Sequence, residues 1–227
     1  MNTFRVLAAL LSYPTEAVSA SVNEMRAILR EERLLSGAEA AGLDPLLDDL
    51  VQLDIYDLQS RYVELFDQSR SLSLHLFEHV HGESLDRGQA MVDLLQRYRQ
   101  HGLELSAVEL PDFVPVFLEY LSQLPVSDAV VELGEMRNVI STLARRLARR
   151  VSPYAAVLGA LERLANEQSG ASAAPEAGPD QQTPETDSPQ ALDAEWQEQP
   201  VDFSKREAGF VSRQRARARS ATTQGER

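Results

Sequence analysis

No cysteine occurs among the 227 residues. Disulfides, thiolate metal ligands and cysteine nucleophiles are therefore excluded, and the chain is compatible with a reducing compartment. Lysine is almost missing too: Lys205 is the single lysine among 22 cationic residues, which reads as a compositional bias toward arginine. Long apolar runs are also absent. The run from Val6 to Leu11 follows one Arg5, is shorter than a secretory core of roughly 7 to 15 residues and lacks a small-x-small cleavage site. No window approaches the roughly 18 apolar residues of a membrane span. A soluble, cytoplasmic protein with no stable membrane insertion is expected. There is no glycine-rich phosphate loop, nucleotide fingerprint or serine, histidine and acid arrangement. The chain is read as a non-enzyme, with no catalytic residue and no metal site.

What is present is acid. The formal net charge is −13, and residues 1–167 alone hold 25 acidic residues against 15 arginines, a balance of −10. Nucleic acid is a poor partner for such a surface, and a basic peptide is a better one.

Apolar residues recur at steps of three and four along most of residues 3–165, and no stretch alternates in the manner of a strand. An all-α domain of seven or eight helices is expected over residues 1–167. Phe4, Leu7 and Leu11 form the first stripe, ended by Pro14; Val18, Val22, Met25 and Leu29 form a second, amphipathic one. Asp44 with Pro45, and then Asp54, open two further helices, the latter running to Phe66. Met91, Leu94, Leu95 and Tyr98 face inward on a helix stopped by Gly102, and Asp112 is expected to cap the helix carrying Phe113, Phe117 and Tyr120. Ser127 is expected to cap a long helix through Leu147, and Ser152 with Pro153 to start the last.

Past Glu167 the composition turns to Ala, Pro, Gln, Ser and acids, which cannot bury enough apolar surface to offset chain entropy. Residues 168–227 are expected to be a disordered tail. Its first part, to Phe203, carries eight acids and no base; the remainder carries seven bases and two acids.

Between Asp67 and Gly82 a central loop is expected, mixing Arg70, His75, Glu78, His79 and His81 with Leu72, Leu74, Leu76, Phe77 and Val80. The histidines at 75, 79 and 81 have ligand-like spacing, but the simpler reading is that the rings cap loop carbonyls and line a groove. Glu109, Asp112 and Glu119 could form a carboxylate set for acid and base catalysis, but Asp112 is better explained as a cap and Glu119 as an exposed helix position. Arg145, Arg146, Arg149 and Arg150 suit a helix C-terminus.

The stretch LFEHVHGES followed by DRGQAM, the run ELPDFVPVFLEY and the opening VLAALLSYP together resemble, in order, the motifs of the respiratory nitrate reductase assembly chaperones, or delta subunits. These belong to the larger group of chaperones for DMSO reductase-type enzymes. The resemblance covers residues 3–165, and the tail segment Glu195–Phe203 resembles a terminal motif of the same family. It implies a system-specific chaperone that binds the apo catalytic (alpha) subunit of respiratory nitrate reductase at its signal-like N-terminal segment. Such a chaperone assists molybdenum cofactor insertion and complex assembly before membrane attachment, holds no cofactor of its own, and stays out of the final enzyme. The alpha–beta complex and molybdenum cofactor delivery proteins are further candidate partners. Carried over by motif, the client-binding residues are Glu78, His79, His81, Glu83, Asp86, Arg87, Glu109, Asp112, Phe113 and Glu119. Related chaperones often place a histidine after the aspartate of the second motif; Phe113 stands there in this chain. The expected groove lies between helices 55–66, 85–100 and 113–121, with Glu78, Glu83, Glu109 and Asp112 on its rim. A general helical adaptor and a His/carboxylate metal enzyme are the alternatives.

Overall fold

The computed structural model of the protein describes residues 1–81, 85–105 and 109–166, leaving aside the side chains of His81 and Leu85. The expected disordered tail lies outside the described residues. The fold class is all-α, and no strand occurs among the described residues. Twelve α-helices are present among them: α1 Asn2–Leu11, α2 Glu16–Ala20, α3 Val22–Glu32, α4 Gly37–Gly42, α5 Asp44–Gln52, α6 Ile55–Tyr62, α7 Leu76–His81, α8 Leu85–Gln100, α9 Val114–Gln123, α10 Val126–Glu135, α11 Arg137–Arg149 and α12 Tyr154–Asn166. The number exceeds the seven or eight expected because two long periodic stretches break at single residues and two short helices, α4 and α7, form where no helix was expected. Ser21 (φ −89°, ψ 0°) turns its hydroxyl onto the Val18 carbonyl at 2.8 Å and separates α2 from α3. Met136 (φ −96°, ψ 5°) likewise separates α10 from α11. Apolar periodicity runs unbroken across both corners, so it carries no sign of either.

Helix α1 sits at the centre. Phe4, Val6, Leu7, Ala8, Leu10 and Leu11 are all buried, and a helix apolar on nearly every side belongs inside a protein rather than on its surface. It packs along α9, while α11 and α12 pack along each other and α12 also meets α10. The N-terminus of α1 is closed by α3: the Glu32 carboxylate accepts from Asn2 N, Thr3 N and Thr3 Oγ1, each at 2.7 Å.

Caps differ in part from expectation. Asp54 caps α6, accepting from Tyr56 N at 2.8 Å. Asp44 lies inside the first turn of α5, with Leu43 at the cap position, and Ser127 spends its hydroxyl on Asp128 while Pro125 precedes α10. Helix α4 was not expected at all, since its small residues carry no apolar stripe; a reciprocal capping box between Ser36 and Glu39 specifies it instead. Gly102 (φ 74°) ends α8 as expected: its N–H bonds the Arg99 carbonyl and that of Leu103 bonds the Tyr98 carbonyl, both at 3.0 Å. Val151 (φ 53°) takes the equivalent position after α11.

Candidate functional site

The expected central loop is largely ordered as short helix. After α6 the chain widens into a π-turn, Val63–Asp67, then makes a 3₁₀ turn, Arg70–Leu72, and enters α7. Leu72, Leu74, Leu76 and Phe77 are buried, which explains why charged and apolar residues alternate so closely there. Residues 74–76 run antiparallel to 112–114 through a single bridge: Leu76 N donates to the Asp112 carbonyl at 3.0 Å and Val114 N to that of Leu74 at 2.9 Å.

This bridge fixes Asp112, which is fully buried. Its carboxylate does not cap the following helix as expected; Phe113 occupies that cap position. Instead Oδ2 accepts from Phe77 N at 3.2 Å, in the first turn of α7, and Oδ1 meets His75 Nδ1 at 3.2 Å. Arg87 of α8 places Nη2 3.7 Å from Asp112 Oδ2 and 3.2 Å from Glu78 Oε1. The hydrogen bond that His75 donates to Asp112, against the opposing pull of burial, leaves the His75 pKa above its ordinary value. His79 goes the other way. Burial lowers its pKa, and its Nε2 lies 2.8 Å from the Ser73 carbonyl, in line with a ring that caps a loop carbonyl. Among the described residues no group of three His, Asp or Glu side chains is placed to hold a metal ion.

His75 is the hinge between this buried network and an open groove of about 650 Å³. Ser12 and Tyr13 after α1, and Tyr62 and Asp67 around the π-turn, form one side. Glu104, Leu105 and Glu109 from the segment after α8, with Phe113, Pro115, Val116 and Glu119 leading into α9, form the other. His75 stacks at a tilt on Phe113, ring centroids 5.3 Å apart, and Tyr13 meets Tyr62 edge-on at 5.6 Å. The Tyr62 hydroxyl donates to the Leu11 carbonyl at 2.9 Å, locking the floor to α1. The lining therefore has aromatic and apolar walls and four carboxylates, Asp67, Glu104, Glu109 and Glu119, all on exposed residues. Among the described residues no arginine or lysine lines it. It suits an amphipathic segment whose apolar side enters the groove and whose basic residues meet the acids.

Of the residues carried over by motif, Glu109, Phe113 and Glu119 line the groove. Asp112 does not reach the rim where it was expected but lies buried beneath, and Glu78 does not line the groove either, being paired with Arg87. His79 is turned onto Ser73, and Asp86 stands exposed in the first turn of α8. Glu83 and the His81 side chain lie outside the described residues. The groove is walled by the end of α1 and the residues after α8, rather than by α8 itself. Tyr13, Tyr62, Asp67, Glu104 and Leu105 were missing from the expected set. Tyr13 lies within the opening VLAALLSYP motif, the one signal that pointed to it; the others are brought in by the π-turn and the 103–109 segment, which periodicity does not reveal.

Known proteins agree with this reading of the motifs. A family model described as the nitrate reductase delta subunit matches residues 21–160. The chain is 45% identical over 198 residues to the nitrate reductase molybdenum cofactor assembly chaperone NarJ of Escherichia coli K12, covering 87% of this chain and 83% of that protein. It is 38% identical over 205 residues to the probable nitrate reductase molybdenum cofactor assembly chaperone NarW of the same strain, covering 89% and 84% respectively. Among solved structures, one described as a "putative redox enzyme maturation protein" from Archaeoglobus fulgidus aligns with a TM-score of 0.51 at 21% identity, over 70% of this chain and 90% of that one. At that identity the likeness speaks for the fold alone. The family match and the relative at 45% identity, each spanning more than half of the sequence, show that the chain belongs to the nitrate reductase delta subunit family.

Proposed function

We propose that this protein is a client-specific assembly chaperone of respiratory nitrate reductase. It receives the N-terminal signal-like segment of the apo catalytic subunit in the groove between α1, the π-turn and α9, and holds that subunit ready for molybdenum cofactor insertion. It acts before membrane attachment, in the cytoplasm, and does not remain in the finished enzyme. No catalytic step is assigned to it. The observation that carries the reading is the groove's composition: four exposed acids over aromatic and apolar walls, with no arginine or lysine among the described lining residues. A basic amphipathic helix matches this on both counts, burying its apolar face while its Arg or Lys residues pair at the rim. The two relatives named above are described as a nitrate reductase molybdenum cofactor assembly chaperone and a probable one, which supports the choice of client. The contact set we propose is Asp67, Glu104, Glu109 and Glu119 at the rim and Tyr13, His75, Phe113 and Val116 within. Asp112, Arg87 and Glu78 hold the segment that presents His75.

Calorimetric titration of the full chain with a peptide covering the first ~20 residues of the cognate catalytic subunit tests this, a length on the order of one groove-binding helix. Saturable binding of the native peptide and none of a scrambled one is expected. Equal binding of both, or of neither, contradicts it.

A further inference from the structure

The second large cavity lies away from the groove, between α3, α4 and α5, and has the opposite electrostatic character. It measures about 590 Å³ and has Leu29, Leu35, Leu47 and Ala40 as apolar lining beneath Arg26, Arg30 and Arg33. The arginines fall at steps of four and three along one face of α3 and just past its end. Like charges so spaced oppose one another. Arg26 is neutralised, by Asp44 at 3.0 Å and Asp48 at 2.6 Å. Arg30 and Arg33 are exposed and have no carboxylate partner among the described residues. Asp44 also lines the cleft, engaged with Arg26, while Glu32 closes the start of α1 and Glu39 serves the Ser36 cap and Arg163. The α3 C-terminus favours cations, yet that does not require them to converge over an apolar cleft.

We propose that this cleft binds a small phosphorylated organic molecule, its phosphate held by Arg30 and Arg33 and its compact apolar body resting on Leu29, Leu35 and Leu47. Two uncompensated guanidinium groups match one phosphate dianion in charge and in planar, forked geometry, and a volume of about 590 Å³ is enough for a single small ligand.

The test is titration of the full chain with AMP, inorganic phosphate and adenosine as probes. AMP binds saturably, inorganic phosphate binds more weakly for want of the apolar body, and adenosine does not bind. Arg30→Gln with Arg33→Gln weakens AMP about tenfold or more while peptide binding in the acidic groove is unchanged, which reports an intact fold. Ala41→Phe, which fills the cleft from an exposed position without altering charge, also blocks AMP. Absence of AMP binding, or AMP binding indifferent to these substitutions, overturns the proposal. Inorganic phosphate binding as tightly as AMP overturns the role of the apolar floor.

Discussion

His75 and Asp112, 37 residues apart in the chain, meet with Nδ1 3.2 Å from Oδ1, and the imidazole lies against Phe113, the residue next to its partner. The chaperone motif that often carries adjacent aspartate and histidine has Phe113 in the second place here. The structure supplies a histidine to the same aspartate from another segment, bridged to it through the backbone at 74–76 and 112–114. One buried carboxylate thereby ties α7, α8 and the entry to α9 together.

Replacing Asp112 by Ala strands the Phe77 N–H and leaves Arg87 and His75 without their buried partner. A loss of about 3 kcal/mol in unfolding free energy is expected, read from urea denaturation midpoints. Asp112→Asn, which keeps an acceptor, costs less.

The two histidines give stability opposite pH responses. The raised pKa of His75 means that the folded state holds its proton longer than the unfolded chain does. Its contribution is full below the ordinary histidine value of 6.5 and fades as pH rises through the folded value. His79, lowered by burial, contributes above 6.5 and loses that contribution as pH falls through its folded value. Urea midpoints followed from pH 5 to 8, roughly the histidine range, show the difference. His75→Asn removes stability mainly at the acid end, whereas His79→Asn flattens the acid-side loss. Identical profiles for the two variants contradict these assignments.

Glu32 holds three donors of α1. Burial raises its pKa, but the bonds from Thr3 and Asn2 outweigh that and leave it lowered. Glu32→Gln is expected to cost about 1 kcal/mol, in the range of a lost helix cap. The cost shows at neutral pH and shrinks as acid titrates the wild-type carboxylate, which pH-dependent thermal melts register.

Val151 is 89% exposed with φ 53°, and it fills the position after α11 that Gly102 fills after α8. A β-branched residue is strained there. Val151→Gly is expected to raise stability by about 1 kcal/mol, as a higher urea midpoint with an unchanged slope.

Client binding separates groove from scaffold. Neutralising Glu109 and Glu119 together to Gln is expected to weaken the peptide several-fold, about 0.5 kcal/mol per exposed pair, and to flatten the salt dependence. Glu78→Gln, removed from the groove and paired with Arg87, leaves affinity within about twofold. The reverse ranking returns the contact surface to the rim first read from the motifs.

The sequence carried the helical class, the acidic balance and the family resemblance, because periodicity, charge and contiguous motifs are local properties. It did not carry the groove. Asp67 reaches the lining through a π-turn that breaks no apolar pattern, and Tyr13 and Glu104 come from segments 91 positions apart in numbering. Asp112 read as a local cap because an aspartate before an apolar run usually is one; its acceptor role for Phe77, 35 residues upstream, depends on pairing that no local pattern encodes.

Amide shift mapping of the isotope-labelled full chain during titration with the catalytic-subunit peptide tests the central claim most directly. Perturbations centred on Tyr13, Asp67, His75, Leu105, Glu109, Phe113, Val116 and Glu119 are predicted. Perturbations confined to the Glu78 and Arg87 face, or to α3 around Arg30 and Arg33, contradict the groove as the client site.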